Sequence, residues 1–254
     1  MTAPDLPPPP PFAPPPGYAS YAPTNWAASM RRIGGLAKAL LIVLAIVALG
    51  QVVSLATTGS VGDAAADYLR SDRSDAAQDA FEDDLAVNGL TSLVAGAASI
   101  AVIVLSIVWL YRVAANHRGL GRRLTWAPGW AIAGWVLPPL LFVIPLLMLR
   151  ESWKASSADV PPESQEWKNK GDSPLIWAWF LLYSIVPIVL AALGASQIWN
   201  VSRNTEDLAE YFDEQQGLII AQGVVTVLAV IAWGLVVRDI TRRHSELTGE
   251  ATLR

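Results

Sequence analysis

Five apolar segments, each of 20 residues or more, constrain this chain more than any other feature of its sequence. They cover residues 36–57, 90–111, 127–149, 175–199 and 218–237. A helix of about 20 apolar residues is long enough to cross the roughly 30 Å hydrocarbon layer of a bilayer. Only 16% of the residues are charged, and the charges gather between the segments. This pattern predicts an all-α, polytopic membrane helix bundle.

The signs of the charges between the segments predict which connections face the cytoplasm. Basic residues stand before the first segment, after the second and after the fifth. The connections 58–89 and 200–217 are acidic, and we expect them to be loops on the outside. Basic residues are retained on the cytoplasmic side of membrane proteins. We therefore expect a protein of the cytoplasmic membrane whose N- and C-termini are both cytoplasmic.

The third segment, 127–149, does not fit five full crossings. If it crossed, the acidic connection 200–217 would face the cytoplasm and the arginines after the fifth segment would face outward. Pro138 and Pro139 stand at its centre, and two adjacent prolines remove two amide donors from a helix. A kinked fifth crossing remains the alternative. We expect one proline-broken re-entrant or interfacial segment beside four transmembrane helices at 36–57, 90–111, 175–199 and 218–237.

Residues 1–29 differ in composition from the rest of the chain. Ten of the 18 prolines lie within the first 23 residues, and proline disfavours both helix and sheet. We expect a disordered, proline-rich cytoplasmic tail that is either a spacer or an arm for an aromatic-lined groove of a cytoplasmic protein. The helical membrane domain then covers residues 30–245, and residues 246–254 form a short cytoplasmic tail.

Several kinds of chemistry are missing from the sequence. The chain has no cysteine, and His117 and His244 are too few for a metal site, so we expect no metal and no cofactor. No Asp, Glu, Arg or His lies deep in an apolar segment, where ion-coupled transporters usually carry such groups. Phosphate loops, nucleophile elbows and zinc-protease motifs are absent too. We therefore expect a protein that is not an enzyme and has no nucleic-acid partner.

The densest cluster of unusual residues runs from Trp109 to Trp153. Arg112 and Asn116 share one helix face, where Asn116 is expected to cap the helix end or to bind carbonyls freed by Pro138. The arginines nearby form a basic patch that either attracts anionic lipid headgroups or only fixes the topology. The candidate functional or structural residues are Trp109, Arg112, Asn116, Arg118, Arg122, Arg123, Trp130, Trp135, Pro138, Pro139, Pro145 and Trp153.

Tryptophans are placed unevenly along the chain. Because an indole ring prefers the headgroup layer, tryptophans near one face mark a membrane interface. We therefore expect an interfacial role for the seven tryptophans near the cytoplasmic face, which are Trp109, Trp126, Trp130, Trp153, Trp167, Trp177 and Trp179.

The same cluster carries a family resemblance. It reads W-L-Y-R-V-A-A-N-H-R-G-L-G, then A-P-G-W-A-I-A-G-W-V-L-P, then P-L-L-M-L-R-E-S-W-K-A-S. This resembles an actinobacterial family of multi-span membrane proteins known as a domain of unknown function, over roughly residues 30–245 and specifically over 109–156. The resemblance implies a proline-rich tail followed by a membrane domain, and no activity. The matching positions are Trp109, Arg112, Asn116, Leu120, Gly121, Pro128, Gly129, Trp130, Trp135, Pro138, Pro145 and Trp153.

One stretch departs from the family pattern. The family usually has polar residues, often asparagine, just after the first proline, whereas residues 139–149 are entirely apolar here. This departure predicts deeper burial and argues against a role that depends on a polar centre.

Two functional hypotheses follow from these features. The first is a non-enzymatic scaffold that meets anionic lipids and cytoplasmic proteins through its tail and its basic, tryptophan-rich face. The alternative is a small transporter or channel for a neutral or lipidic solute. Two like hairpins that flank a proline-broken segment are similar to transporters built from half-helices.

Overall fold

The computed structural model describes residues 30–137, 140–198 and 204–250. Within these ranges every regular element is helical, which confirms the predicted all-α class. The tail 1–29, the central prolines Pro138 and Pro139, and Trp199 lie outside the described residues. In chain order the helices are α1 Gly34–Arg70, α2 Asp75–Gly119, α3 Trp130–Val136, α4 Ile144–Ala155, α5 Pro174–Phe180, α6 Val186–Ile198 and α7 Thr205–Thr248, with 3₁₀ turns at Leu140–Phe142 and Glu166–Asn169 and a π-helical turn at Leu181–Ile185.

Four helical stretches are long and apolar enough to cross a membrane. Their outward apolar side chains are exposed in the isolated chain; Leu49, Leu93 and Leu193, for example, are 69%, 74% and 68% exposed. Exposed apolar surface on helices of this length fits contact with lipid. The four stretches correspond to the four predicted spans and are Gly34–Arg70, Asp75–Gly119, Pro174–Gly194 and Thr205–Thr248.

Three of these helices extend well beyond the predicted spans. α1, α2 and α7 contain 37, 45 and 44 residues. At 1.5 Å per residue each is about 55–70 Å long, roughly twice the hydrocarbon thickness. The expectation that the acidic connections are loops is therefore wrong for most of their length. The extensions form an "acidic end" of the bundle, made of residues 58–89 and 204–217.

A second apolar cluster explains why the acidic connections stay helical. Beyond the spans, Tyr68 stacks on Phe81 with ring centroids 6.3 Å apart, and Phe212 meets Phe81 edge-on. Asn204 caps α7 by accepting a hydrogen bond from the amide of Asp207 at 2.8 Å. α1, α2 and α7 therefore each bury apolar side chains beyond their membrane spans. The buried residues of this cluster are Val61, Ala65, Tyr68, Phe81 and Ala209.

The third segment forms a hairpin that enters and leaves at one end of the bundle. Before α3, the amides of Thr125 and Trp126 donate to the two carboxylate oxygens of Glu151 in α4, at 2.8 and 3.1 Å. At the other side of the hairpin, a Cβ added to Gly134 would lie 2.6 Å from the Ile144 side chain. Only glycine therefore allows this close approach. The hairpin excludes a kinked fifth crossing.

Trp135, close to the tip of this hairpin, packs against the bundle. α3 ends at Val136, and its Trp135 contacts Trp233 in the apolar stretch of α7, with ring centroids 5.6 Å apart. This contact favours a re-entrant segment over an interfacial one. Pro145 begins the returning helix within its first turn, where its missing amide costs no hydrogen bond. Pro145 therefore starts α4 and does not break it.

The fourth span contains a widened turn. Residues Leu181–Ile185 are π-helical and join α5 to α6 without interrupting the helix. Pro187 follows and has no amide to donate to the carbonyl four residues earlier, which a widened turn accommodates. Pro187 therefore lies within a continuous helical stretch and does not end this span. Single π turns of this kind often mark functional positions.

Candidate functional site

Chain ends and hairpin ends meet at one end of the bundle, which we call the basic end: residues 30–34, 112–126, 150–173 and 238–250. There the carbonyl of Leu120 accepts a hydrogen bond from the amide of Glu163 at 2.8 Å. Gly121 beside them has a φ of 72°, and a Cβ there would lie 2.8 Å from the side chain of Glu163. Glycine is therefore required at this turn for both its conformation and its size.

Arg112 and Asn116 hold the chain where it enters α1. The Asn116 side chain accepts from the amide of Arg31 at 2.9 Å and donates to its carbonyl at 2.8 Å. Arg112 donates to the carbonyl of Arg32 at 3.2 Å. The predicted shared face is present, but Asn116 binds the N-terminal chain and not carbonyls freed by Pro138. The carboxylate of Glu250 completes this clamp by accepting from the first amides of α1.

Two histidines that lie 127 positions apart in sequence meet beneath this clamp. His117 and His244 are fully buried, with ring centroids 5.0 Å apart. Asn116 Nδ2 lies 3.1 Å from His244 Nε2, and the amide can only donate there, so Nδ1 of His244 carries the proton. Ser156 gives its own proton to the carbonyl of Ser152 and accepts from His117 Nε2. Sequence reasoning did not bring these rings together.

The predicted basic patch divides into buried and exposed arginines. Arg122 is 1% exposed, and its guanidinium donates to the carbonyls of Ser157 and Val160. Burial lowers the pKa of Arg122 from its usual value. The expectation that Arg122 belongs to a surface patch is therefore wrong, because its side chain closes the hairpin ends. Arg118 and Arg123 are exposed and line a surface depression of about 910 Å³.

The tryptophans of this region also divide into two groups. Trp109, Trp167 and Trp179 are at most 2% exposed and belong to the core, so an interfacial role is wrong for them. Trp130 and Trp177 are 38% and 40% exposed, as expected at an interface. A buried tryptophan usually has a hydrogen-bond partner for its indole N–H. Hydroxyl residues are scattered through this sequence, so the sequence alone does not show which tryptophans have such a partner.

Two tryptophans bind the helices of the basic end together. Trp109 donates to the hydroxyl of Thr241 in α7 at 3.0 Å. The guanidinium of Arg243 stacks on Trp153, 3.7 Å from the ring centroid, and links α7 to the hairpin. Trp109 and Trp153 are therefore structural contacts between α7 and the elements packed against it.

An ion-pair network connects the hairpin to α5. The carboxylate of Asp172 pairs with Arg150 at 2.5 Å and with Lys154 at 3.1 Å. The hydrogen bond from Arg150 is the main reason that the pKa of Asp172 is lowered, and Lys154 adds to the shift. This network fixes the returning helix α4 to the segment that precedes the fourth span.

A second site lies deeper, at the level of the apolar spans. The "intramembrane pocket" has a volume of about 310 Å³ and lies between the hairpin tip, α1, α2, α7 and the π turn. Four aromatic side chains form one wall, with Trp179 and Tyr183 stacked at 5.0 Å and Trp233 4.9 Å from Trp179. Trp135 completes this wall from α3, 5.9 Å from Tyr183.

Few polar groups line the intramembrane pocket. The hydroxyls of Ser99 and Thr226 donate to carbonyls of their own helices at 2.8 and 2.9 Å. Nε1 of Trp135 and Oε1 of Gln222 are buried and have no hydrogen-bond partner among the described residues. A buried polar atom without a partner is unusual in a native structure and calls for an explanation.

The candidate residues thus occupy different places. The basic end contains Arg112, Asn116, Arg118, Arg122, Arg123 and Trp153. Trp109 contacts this end through Thr241, whereas Trp135 lies in the pocket wall. Trp130 packs edge-on against Trp126 near the hairpin entrance. Within residues 30–137, 140–198 and 204–250, no three His, Asp or Glu side chains are placed to hold a metal ion. The residues that sequence reasoning missed are His117, Glu151, Trp233, His244 and Glu250.

Comparison with known proteins gives a family but no characterised relative. A family model described as a domain of unknown function, DUF4328, matches residues 72–242. The match covers α2 through most of α7 and therefore includes the hairpin, most residues that line the intramembrane pocket and most of the basic end. No curated protein and no solved structure matches the chain.

Proposed function

This chain belongs to the DUF4328 family, and from that premise we propose that it is a non-enzymatic scaffold of the cytoplasmic membrane that binds anionic lipid headgroups at its basic end. In this proposal the basic end and both chain ends face the cytoplasm. The observation that carries it is the pair of exposed arginines, Arg118 and Arg123, beside an open depression of about 910 Å³.

Three neighbouring basic side chains support this assignment because they already have internal partners. Arg122 binds backbone carbonyls, and Arg150 and Lys154 share Asp172. Arg118 and Arg123 are both exposed at the end of the longest helix. A phosphate group accepts hydrogen bonds from guanidinium, and each basic residue near an anionic surface contributes about 1 kcal/mol.

The rigid construction of the basic end supports a scaffold role. Asn116 and Glu250 fix the backbone from Arg31 to Gly34, so the proline-rich tail leaves the membrane domain from a fixed point. A tail that starts from a fixed point next to the bilayer presents its proline-rich sequence to cytoplasmic proteins at a defined distance from the membrane.

Lipid retention tests the headgroup proposal. The full chain is reconstituted into nanodiscs of mixed phosphatidylglycerol and phosphatidylcholine, and the lipids that remain after mild detergent extraction are counted by native mass spectrometry. Joint Arg118→Gln and Arg123→Gln substitution is expected to lower the preference for phosphatidylglycerol at least about five-fold. Arg70→Gln at the acidic end is the matched control and is expected to leave it unchanged. Equal preferences in all three proteins would exclude the proposal.

Crosslinking tests the role of the tail. Proteins captured in intact cells by the full chain are compared with those captured by a chain that lacks residues 1–26. The scaffold proposal expects a defined set of cytoplasmic proteins that depends on the tail. Identical sets from both chains would show that the tail is a spacer.

A second candidate function, transport of a neutral lipidic solute, is supported by one observation. The hairpin tip, with Trp135, and the π turn of the fourth span meet at the intramembrane pocket. Discontinuous helices form the substrate sites of many membrane transporters, and single π turns often occur at functional sites. Reconstituted liposomes with a fluorescent neutral lipid measure transbilayer movement directly. Movement equal to that in protein-free liposomes would exclude this candidate.

A further inference from the structure

We propose that the intramembrane pocket binds the end of a single-chain, neutral lipid alcohol, with its hydroxyl at Trp135 and Gln222 and its chain along the aromatic wall. This inference rests on the pocket alone and stands independently of the headgroup proposal. It also does not require transport, because a bound lipid is not necessarily moved across the bilayer.

The size and position of the pocket fit one hydrocarbon chain. Its volume of about 310 Å³ lies at the low end of the range of roughly 300–1,000 Å³ for small-molecule sites. Leu44 and Val47 of α1 and Val102 and Ile103 of α2 line it at the level of the apolar spans. A ligand in this position is expected to come from the hydrocarbon layer of the bilayer and to be an apolar chain over most of its length.

The unpartnered polar atoms select the end group of that chain. Among the residues that the structure describes, Trp135 Nε1 is a donor without an acceptor, and Gln222 Oε1 is an acceptor without a donor. A hydroxyl group donates one hydrogen bond and accepts others, so the chemistry of a hydroxyl matches the donor and the acceptor that share this pocket. Ser99 and Thr226 do not serve this purpose, because their own hydroxyls are already bonded to helix carbonyls.

The pocket lining argues against a charged end group. No Asp, Glu, Lys, Arg or His of the described chain is among its lining residues, so an ionised headgroup would be left unpaired in a medium of low polarity. The aromatic wall is also not a cage for a quaternary ammonium group. Trp179 and Tyr183 are stacked face to face with an interplanar angle of 10°, so each covers a ring face that a cation would need.

The test uses a tagged hexadecanol as the probe. The alcohol carries a diazirine in its chain and a terminal alkyne, and it is added to the full chain in phosphatidylcholine nanodiscs. After illumination, labelled peptides are isolated through the alkyne and mapped by mass spectrometry. We expect labelling to concentrate on peptides that contain Val102, Tyr183 or Ala229, because these residues line the pocket.

Two variants with matched controls separate the pocket from the general lipid surface. Ala229 is 9% exposed, and Ala229→Phe is expected to fill the pocket, whereas Ala97→Phe places the same ring on an exposed position of α2. Gln222→Leu removes the acceptor with little change in volume, and Gln51→Leu makes the same change in a span outside the pocket. Each pocket variant is expected to lower labelling at least about five-fold, and each control less than two-fold. For Gln222→Leu the five-fold figure corresponds to the loss of one hydrogen bond of about 1 kcal/mol, and for Ala229→Phe the reduction comes from filling the pocket.

Two further comparisons and one fallback variant decide the outcome. A tagged hexadecane without the hydroxyl is expected to label the pocket weakly and to be insensitive to Gln222→Leu. Joint Arg118→Gln and Arg123→Gln substitution is expected to leave hexadecanol labelling unchanged, which distinguishes this site from the basic end. If Ala229→Phe does not fold, as judged by size-exclusion chromatography, Gln222→Leu carries the test. The proposal is overturned if hexadecanol labels the exposed faces of the spans uniformly or if Gln222→Leu and Gln51→Leu label equally.

Discussion

Replacement of Asn116 by alanine tests how the basic end is held together. The side chain bonds to both backbone groups of Arg31 and to His244, so Asn116→Ala removes three hydrogen bonds at once. His244 is fully buried, and its Nε2 would lose its only donor. The backbone of Arg31 lies near the surface, where water replaces part of the lost bonding.

The expected loss of stability is worked out from these three contacts. Leaving the buried ring nitrogen of His244 without a donor costs about 1–3 kcal/mol, and each bond to Arg31 contributes about 0.5–1.5 kcal/mol. Alanine is the better helix former, which returns a few tenths of a kcal/mol. The net loss is therefore about 3 kcal/mol, and for a domain of this size we expect the melting temperature to fall by roughly 6–12 °C.

The matched control is Asn88→Ala on the same helix. The hydroxyls of Thr57 and Thr58 lie within hydrogen-bond distance of Asn88 Oδ1, and each can instead donate its single proton to the carbonyl of Ser54. They keep that acceptor when Asn88 is removed, so we expect a loss below about 1 kcal/mol. Tryptophan fluorescence during heating in detergent measures both variants. A melting temperature of Asn116→Ala equal to that of Asn88→Ala would refute the clamp.

Three further predictions concern the hairpin and its connections. Glu151→Gln replaces one of the two accepting oxygens with a donor, and we expect faster hydrogen exchange at Thr125 and Trp126 with little effect on remote amides. The pKa of Asp172 is lowered in the folded protein, so its contribution of roughly 1 kcal/mol to stability is present above about pH 4 and is lost as the pH falls through the folded pKa. Asp172→Asn should remove this part of the pH dependence of the melting temperature. An unchanged pH dependence would contradict the ion-pair network. Trp153→Leu removes the stacking partner of Arg243 and should lower stability by about 1 kcal/mol, whereas Trp177→Leu, which removes a ring stacked on Arg150, should cost less because it is more exposed.

The lengths of the apolar segments and the charges between them were sufficient to predict the architecture of the membrane domain. Apolar length gave five candidate segments, and the parity of basic and acidic connections required the third segment to return to its own side, which leaves four crossings. The helical extensions at the acidic end were not predictable in this way. Their apolar faces are short and mixed with acids, and they are stable because Tyr68, Phe81 and Phe212 come together from three separate helices.

The functional regions were predictable only in part. The spacing of Arg112 and Asn116 indicated a shared face, but their partner is the chain entering α1, which lies 80 and 85 positions away in sequence. His117 and His244 each looked like a residue at the end of a span, and only the packing of α2 against α7 pairs them. Gln222 and Tyr183 were visible as polar residues within spans, yet their relation to Trp135 depends on how deep the hairpin enters.

The re-entrant hairpin is the centre of this account, and cysteine labelling tests it most directly. The chain has no cysteine, so single cysteines are introduced at the exposed positions Ala80, Gly119 and Glu166 and treated with a membrane-impermeant maleimide on either side of sealed vesicles. A hairpin predicts that Gly119→Cys and Glu166→Cys react from one side and Ala80→Cys from the other. Reaction of Glu166→Cys from the same side as Ala80→Cys would contradict the fold described for residues 125–151.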